Sequence, residues 1–242
     1  MKIILLLNND IHSATALELL AHDLKSHQVK IILSRKVGKV DDLPTELLAM
    51  KKDEQFEIEK NFAYETAFYS NINSEETLED FRNFAPDLII SIRFGQILKS
   101  PLIKIPRLGV LNLHSGILPN YRGIMASFWA ILNGEKKLGT TLHYINDGTI
   151  DTGEIIGFSE TEIDRNSSLI LNINNLYQNG CALLLQTLRE ISANKKLQTI
   201  DQKSLPSRQY FSYPKAEDVQ KFLKIMPLTK SADTKKLLDI FR

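Results

Sequence analysis

Short apolar runs recur along the chain, separated by stretches in which apolar residues return every three or four positions. The runs at residues 2–7, 30–33, 87–92, 109–114, 140–145 and 154–158 read as strands. Residues 3–7 are all apolar and are followed by Asn8, Asn9 and Asp10, the pattern of a strand buried on both faces. Residues 14–24 read as an amphipathic helix, and Thr15-Ala-Leu-Glu18 resembles a capping box at its start. Residues 73–84, 125–132, 166–191 and 215–225 read as further helices. Strands alternating with helices predict an α/β fold, a Rossmann-like, twisted, mostly parallel sheet with helices on both faces. The character changes near Gln198, where prolines and an aromatic cluster at Tyr210, Phe211 and Tyr213 begin. The expected division is a main domain at 1–197 and a small C-terminal appendage at 198–242.

The chain has 242 residues, enough for one domain with an appendage. Thirty basic side chains face 29 acidic ones, so the net charge of +1 exerts no long-range pull on nucleic acid or anionic membrane. Neither partner is expected. The first apolar run is too short for a signal peptide or a membrane span. A single cysteine, Cys181, excludes an intrachain disulfide and a Cys-based zinc site, and the expected compartment is the reducing cytosol. It sits among apolar residues of a helix, a poor setting for a thiol nucleophile. Nine of the eleven glycines fall between Gly95 and Gly157, and the first is Gly38. No glycine-rich turn follows the first strand, which argues against a dinucleotide fingerprint or a P-loop.

The chemistry-bearing block is Asn112-Leu-His114-Ser-Gly-Ile-Leu-Pro119-Asn-Tyr-Arg122-Gly123. Residues i and i+2 of a strand share a face, so Asn112 and His114 project together near the end of a parallel strand, where open α/β sheets bind ligands. An imidazole is a general acid/base near neutral pH, and an amide can donate N–H to a developing oxyanion. A second block, Asn146-Asp-Gly-Thr-Ile-Asp151-Thr-Gly153, adds a carboxylate able to orient the imidazole. Ser115 follows His114 directly, points the other way and lacks a nucleophile elbow, so a serine hydrolase is disfavoured. His22 and His27 read as surface positions and His143 as structural, while His12 lies at the mouth of the sheet.

Taken together, these motifs resemble the folate-dependent formyltransferase family. The resemblance rests on Asn112-x-His114-Ser-Gly-Ile-Leu-Pro119-x-Tyr-Arg122-Gly123, Ile131-Leu-Asn-Gly134, Gly139-Thr-Thr-Leu-His143 and Asp147-Gly-x-Ile-Asp151-Thr-Gly153. Arg93-Phe94-Gly95-Gln96-Ile97-Leu98 is similar to that family's Tyr-Gly-x-Ile-Leu segment. The resemblance covers residues 85–158 closely and implies formyl transfer from 10-formyltetrahydrofolate to a primary amine, without a metal. It implies a triad of Asn112, His114 and Asp151, with the pterin against Arg93–Leu98 and against Asn146, Asp147, Gly148 and Ile150. The family sets its aspartate directly after Gly-Ile or Gly-Leu; here Thr149 intervenes, so the loop is expected to bulge by one residue.

The acceptor is sought by elimination. A glycinamide ribonucleotide acceptor implies a Gly/Ser-rich loop after the first strand, where this chain has Asn8-Asn-Asp-Ile-His-Ser13. Members acting on initiator tRNA carry a larger C-terminal domain and need basic surface. Those that hydrolyse formyltetrahydrofolate carry an N-terminal regulatory domain. The expectation left is an amino sugar on a nucleoside diphosphate. Its wall is expected to comprise Asn9, His12 and Ser13, then Tyr121, Arg122 and Gly123, and Tyr210. Another small amine, a hydrolase and a non-catalytic folate-binding relative stay open, as does an oligomer.

Overall fold

The computed structural model describes residues 1–35, 42–206 and 208–241. Ser207, which opens the aromatic loop, lies outside them. In chain order the elements are β1 (Lys2–Asn8), α1 (Ile11–Leu24), β2 (Gln28–Ser34), α2 (Thr45–Asp53), α3 (Ile58–Asn61), β3 (Thr66–Phe68), α4 (Glu75–Phe84) and β4 (Leu88–Ile92). There follow α5 (Ser100–Ile103), β5 (Val110–His114), β6 (Arg122–Gly123), α6 (Ala126–Leu132), β7 (Lys137–Tyr144) and β8 (Ile155–Glu162). The chain closes with α7 (Leu169–Ser192), β9 (Tyr210–Phe211), α8 (Ala216–Leu223) and α9 (Ser231–Asp239).

The main sheet has the order β3-β2-β1-β4-β5-β7-β8. Pairing is parallel from β3 to β5 and antiparallel from β5 through β7 to β8. The strand period of two explains how one apolar run serves both faces. Ile3, Leu5 and Leu7 join one apolar cluster with Leu17 and Leu20 of α1 and Leu176 and Leu184 of α7. Ile4 and Leu6 join a second cluster with Phe81 of α4 and Leu102 of α5. Each of these side chains is fully buried or nearly so, contributing about 1.5–3 kcal/mol. The expected α/β architecture with helices on both faces is the one observed.

The start of α1 differs from expectation. Asp10, not Thr15, is the N-cap: its carboxylate accepts from the Ser13 N–H at 2.8 Å. Thr15 lies one turn inside and turns its hydroxyl back to the Ile11 carbonyl.

Residues after 198 pack into the main core. Phe222 of α8 stacks on Phe128 of α6 with ring centroids 4.3 Å apart. The backbone at Leu169 and Ile170 donates to Pro227 and Leu228, and the Asp233 carboxylate accepts from the Ser168 amide and hydroxyl. Among the described residues no helix is long and apolar enough to cross a membrane.

Candidate active site

The strand order reverses between β1 and β4, and the crevice beyond the carboxyl ends of such strands is where open α/β sheets take ligands. A cavity of about 570 Å³ opens there. Its walls come from the segment after β4, the ends of β5 and β7, the 147–151 loop, and Tyr210 and Tyr213.

Asn112, His114 and Asp151 meet at its floor. His114 Nδ1 lies 3.6 Å from Asp151 Oδ2, and Asn112 Nδ2 lies 3.5 Å from Asp151 Oδ1. His114 Nε2 lies 2.7 Å from the Tyr121 carbonyl, which can only accept, so Nε2 carries a proton. The Asp151 carboxylate faces the other ring nitrogen. A fourth residue enters from β7. The antiparallel register sets His143 opposite Asn112, and its Nε2 lies 3.1 Å from Asn112 Nδ2 and 3.6 Å from Asp151 Oδ1. Burial pushes the Asp151 carboxyl up, but the His114 charge and the Gly123 N–H help hold it well below the usual carboxylate range.

The loops at the floor are tightly held. Gly123 donates its amide to Asp151 Oδ2 at 2.8 Å, and β6 pairs in parallel with β9, Arg122 opposite Tyr210. Arg122 donates through Nε and Nη2 to the Ile150 carbonyl. Gln202 donates to the carbonyls of Asp151 and Gly153 at 3.1 and 2.7 Å. Thr149 folds onto Asp147, its amide donating to the carboxylate at 2.8 Å. Arg93, Met125 and Asp151 hold left-handed φ of 59°, 59° and 54°, and all three line the cavity. Non-glycine residues pay for that conformation, and such strain gathers at binding sites.

On the expected pterin side, Arg93, Phe94, Gly95, Gln96, Ile97 and Leu98 all line the cavity, with Ile97 exposed. Gln96 spends its side chain on the Ile72 amide and the Tyr69 carbonyl, and Gly95 donates to Ser34, so this segment is tethered from behind. Asp147, Gly148 and Ile150 line the opposite wall; Asn146 is exposed and does not.

The acceptor-side expectations need more correction. His12 is fully buried, its ring nitrogens facing Asn174 and Glu54, and Ser13 is equally buried. Asn9 accepts from the Ile58 amide and so holds α3. Tyr121 is buried, donates to Glu135 and stacks on Phe211 at 5.7 Å. The N-terminus of α1 is already served by Asp10, whose other oxygen takes Arg93 Nε at 2.8 Å, so no free anion seat remains there. Of that expected wall, Gly123 and the half-exposed Tyr210 line the cavity. Lys51 and Glu54, an ion pair at 2.6 Å, line it unexpectedly; α2 lacked a clear apolar stripe that would reveal it in the sequence. Among the described residues no group of three or more His, Cys, Asp or Glu is placed to hold a metal ion.

The buried Asp10, Glu54 and Arg93 form a network. Burial raises the Asp10 carboxyl, yet Arg93 and His12 bring it below its ordinary 3.8; burial likewise opposes Lys51, His12 and Arg93 at Glu54, which still falls well below 4.5. Carboxylates with lowered folded pKa stabilise the fold above their unfolded values and lose that contribution as pH falls through the folded ones. Thermal stability should therefore drop as pH falls below about 4.5, and Glu54→Gln should flatten that slope while lowering stability at neutral pH. An unchanged acid slope in the variant would reject this.

Comparison with known proteins places the geometry in a family. The sequence model described as formyl transferase matches residues 1–203. Over 117 residues the chain is 37% identical to the methionyl-tRNA formyltransferase of Clostridioides difficile, covering 48% of this chain and 38% of that protein. It thus spans about two fifths of the length of the curated relatives it matches. The fold is similar to a sugar N-formyltransferase from Shewanella sp. (TM-score 0.61, 19% identity, 93% of this chain and 87% of the other). It is also similar to phosphoribosylglycinamide formyltransferase from Anaplasma phagocytophilum (TM-score 0.64, 19% identity, 87% and 97%). A third likeness is to the N-formyltransferase of Helicobacter canadensis solved with folinic acid and dTDP-3-aminofucose (TM-score 0.60, 22% identity, 90% and 72%). These structural likenesses are of fold, whereas the sequence match runs through the whole sheet and every floor residue, and by it the chain belongs to the formyl transferase family.

Proposed function

We propose that the protein moves a formyl group from 10-formyltetrahydrofolate to a primary amine, and that the acceptor is an amino sugar carried on a nucleoside diphosphate. The observation that carries the reaction is the meeting of Asn112, His114 and Asp151 at the floor of one cleft. The cavity volume of about 570 Å³ is in the range of sites for ligands of folate size. Its pterin side, Phe94–Leu98 against 147–150, offers apolar side chains and loop backbone, which suit a flat heterocycle with polar edges.

An uncharged amine attacks the formyl carbon, and negative charge develops on the formyl oxygen. Asn112 offers an N–H to that oxygen and the proton-bearing His114 ring offers positive charge beside it. Asp151 holds the ring and is itself kept ionised. The leaving tetrahydrofolate nitrogen takes a proton from the His114 ring, which then accepts the one lost by the attacking nitrogen, or a water carries that proton between the two nitrogens directly.

The sugar acceptor draws support from extent. Likeness in fold to the Shewanella sugar enzyme covers 93% of this chain and 87% of that one, and likeness to the Helicobacter canadensis enzyme solved with dTDP-3-aminofucose covers 90% and 72%. Tyr210 and Tyr213 then face the acceptor, and an aromatic face can stack on a base. A panel of amino-nucleotide-sugars assayed with 10-formyltetrahydrofolate tests this. Turnover with none of them, but with methionyl-tRNA or with water alone, rejects the sugar reading.

Two substitutions divide the walls. Tyr210→Ala should raise the acceptor KM several-fold with the folate KM unchanged, because in this reading the half-exposed, cavity-lining ring meets the acceptor and not the pterin. Arg122→Ala should act on the folate KM instead, since it frees the Ile150 carbonyl and with it the pterin-side loop. Equal effects on both constants in either variant would contradict the division.

A further inference from the structure

His143 is 1% exposed and serves no ligand expected of it, yet its hydrogen bonds are directional. Nδ1 lies 2.8 Å from the Tyr144 carbonyl. A carbonyl only accepts, so the ring proton sits on Nδ1, and in the neutral ring Nε2 is left as a bare acceptor. Asn112 Nδ2 lies 3.1 Å from that acceptor and therefore donates to it. An amide rotated by 180° would set its oxygen against a lone pair, so the contact selects one orientation of Asn112.

The selection matters because the two ends of an amide do opposite things to a developing anion. With one N–H held by His143, the second stays on the same nitrogen, aimed along the Asp151 side at a contact of 3.5 Å. That contact is at the outer limit of a hydrogen bond, so this N–H can be taken by a ligand oxygen at small cost. The groups facing the His143 ring are Asn112, the Asp151 carboxylate, the Tyr144 carbonyl and, 6.4 Å away between centroids, the His114 ring.

We infer that His143 is a positioning residue which, as the Nδ1–H tautomer, fixes the amide of Asn112 so that N–H rather than C=O meets the formyl oxygen. Its effect on rate rests on the formyl-transfer reading; the tautomer and the amide orientation do not.

The test combines kinetics with nitrogen NMR. His143→Ala should lower kcat by about tenfold or more, the scale of a displaced oxyanion donor, with both KM values within about twofold. His143→Gln, whose side-chain oxygen can reach the Nε2 position and accept from Asn112, should recover most of that loss. In an Asn112→Ala background, His143→Ala should change kcat by less than about twofold, because the group it acts through is gone. Equal losses in both backgrounds, no loss in His143→Ala, or no recovery by Gln would overturn the inference. Long-range ¹H–¹⁵N spectra of histidine-labelled protein, with His143 assigned from the Gln variant, should show Nδ1 protonated and Nε2 bare. The opposite tautomer overturns it even if no acceptor is turned over, and a chain without turnover but with the expected tautomer overturns the proposed reaction alone.

Discussion

His114→Ala and Asp151→Ala are each expected to lower turnover by at least about 10²-fold, the usual consequence of losing a positioned acid/base or its partner. The two groups act as one unit, with 3.6 Å between them and Asp151 held ionised beside the His114 ring and the Gly123 amide. Combining the substitutions should therefore cost little more than either alone. Both side chains line the cleft, so the fold should survive their loss, but Asp151→Ala also removes a carboxylate held well below its ordinary range and should lower Tm at neutral pH. Steady-state kinetics under saturating substrates, with Tm measured in parallel, checks both. Retained activity in the two single variants would remove the mechanism.

Gly123→Ala should be nearly as damaging, though position 123 carries no functional side chain. Gly123 holds φ of +94°, and an added Cβ would stand 2.2 Å from the Phe211 carbonyl and 2.9 Å from the Tyr210 ring. No rotamer relieves a clash with backbone, so β6 must move away from β9. The Gly123 amide then leaves Asp151 Oδ2. A hydrogen bond to a charged group is worth about 1.5–3 kcal/mol, which corresponds to roughly one to two decades in rate if the whole term is lost from the transition state. Gly134→Ala is the control. Gly134 has φ of +84°, but nothing lies within 4 Å of its added Cβ, so it shares the backbone strain without the collision. Turnover of Gly123→Ala within about twofold of the Gly134 control would show that the ribbon does not hold the site.

The sheet was legible because buried parallel strands announce themselves as unbroken apolar runs, as at Ile3–Leu7, fully buried throughout. β3 was invisible, since Thr66-Ala-Phe is too short to show a period. The floor triad was legible because two members share one strand face and the third sits in a loop of matching polarity. His143 was not, because its role depends on the register of β5 against β7, a pairing across 31 residues that no local pattern encodes. The acceptor wall failed for a related reason. Asp10 looked like one more polar residue before a helix, but its partner Arg93 lies 83 residues on, and the pair closes the seat that the helix start would otherwise offer.

The two-residue ribbon of β6 and β9 also sets an order of events during synthesis. Asn112, His114, His143 and Asp151 have all been made once residue 151 emerges, and the parallel strands that carry the first two can already pair. Gln202, Tyr210 and Phe211, which clamp the Asp151 and Gly123 loops, come some fifty residues later. At bacterial or slower elongation rates of about 5–20 residues per second, that interval lasts several seconds. The nascent chain is thus expected to pass through a stage in which the four floor residues exist and their clamp does not, so that a fixed floor waits on Gln202, Tyr210 and Phe211.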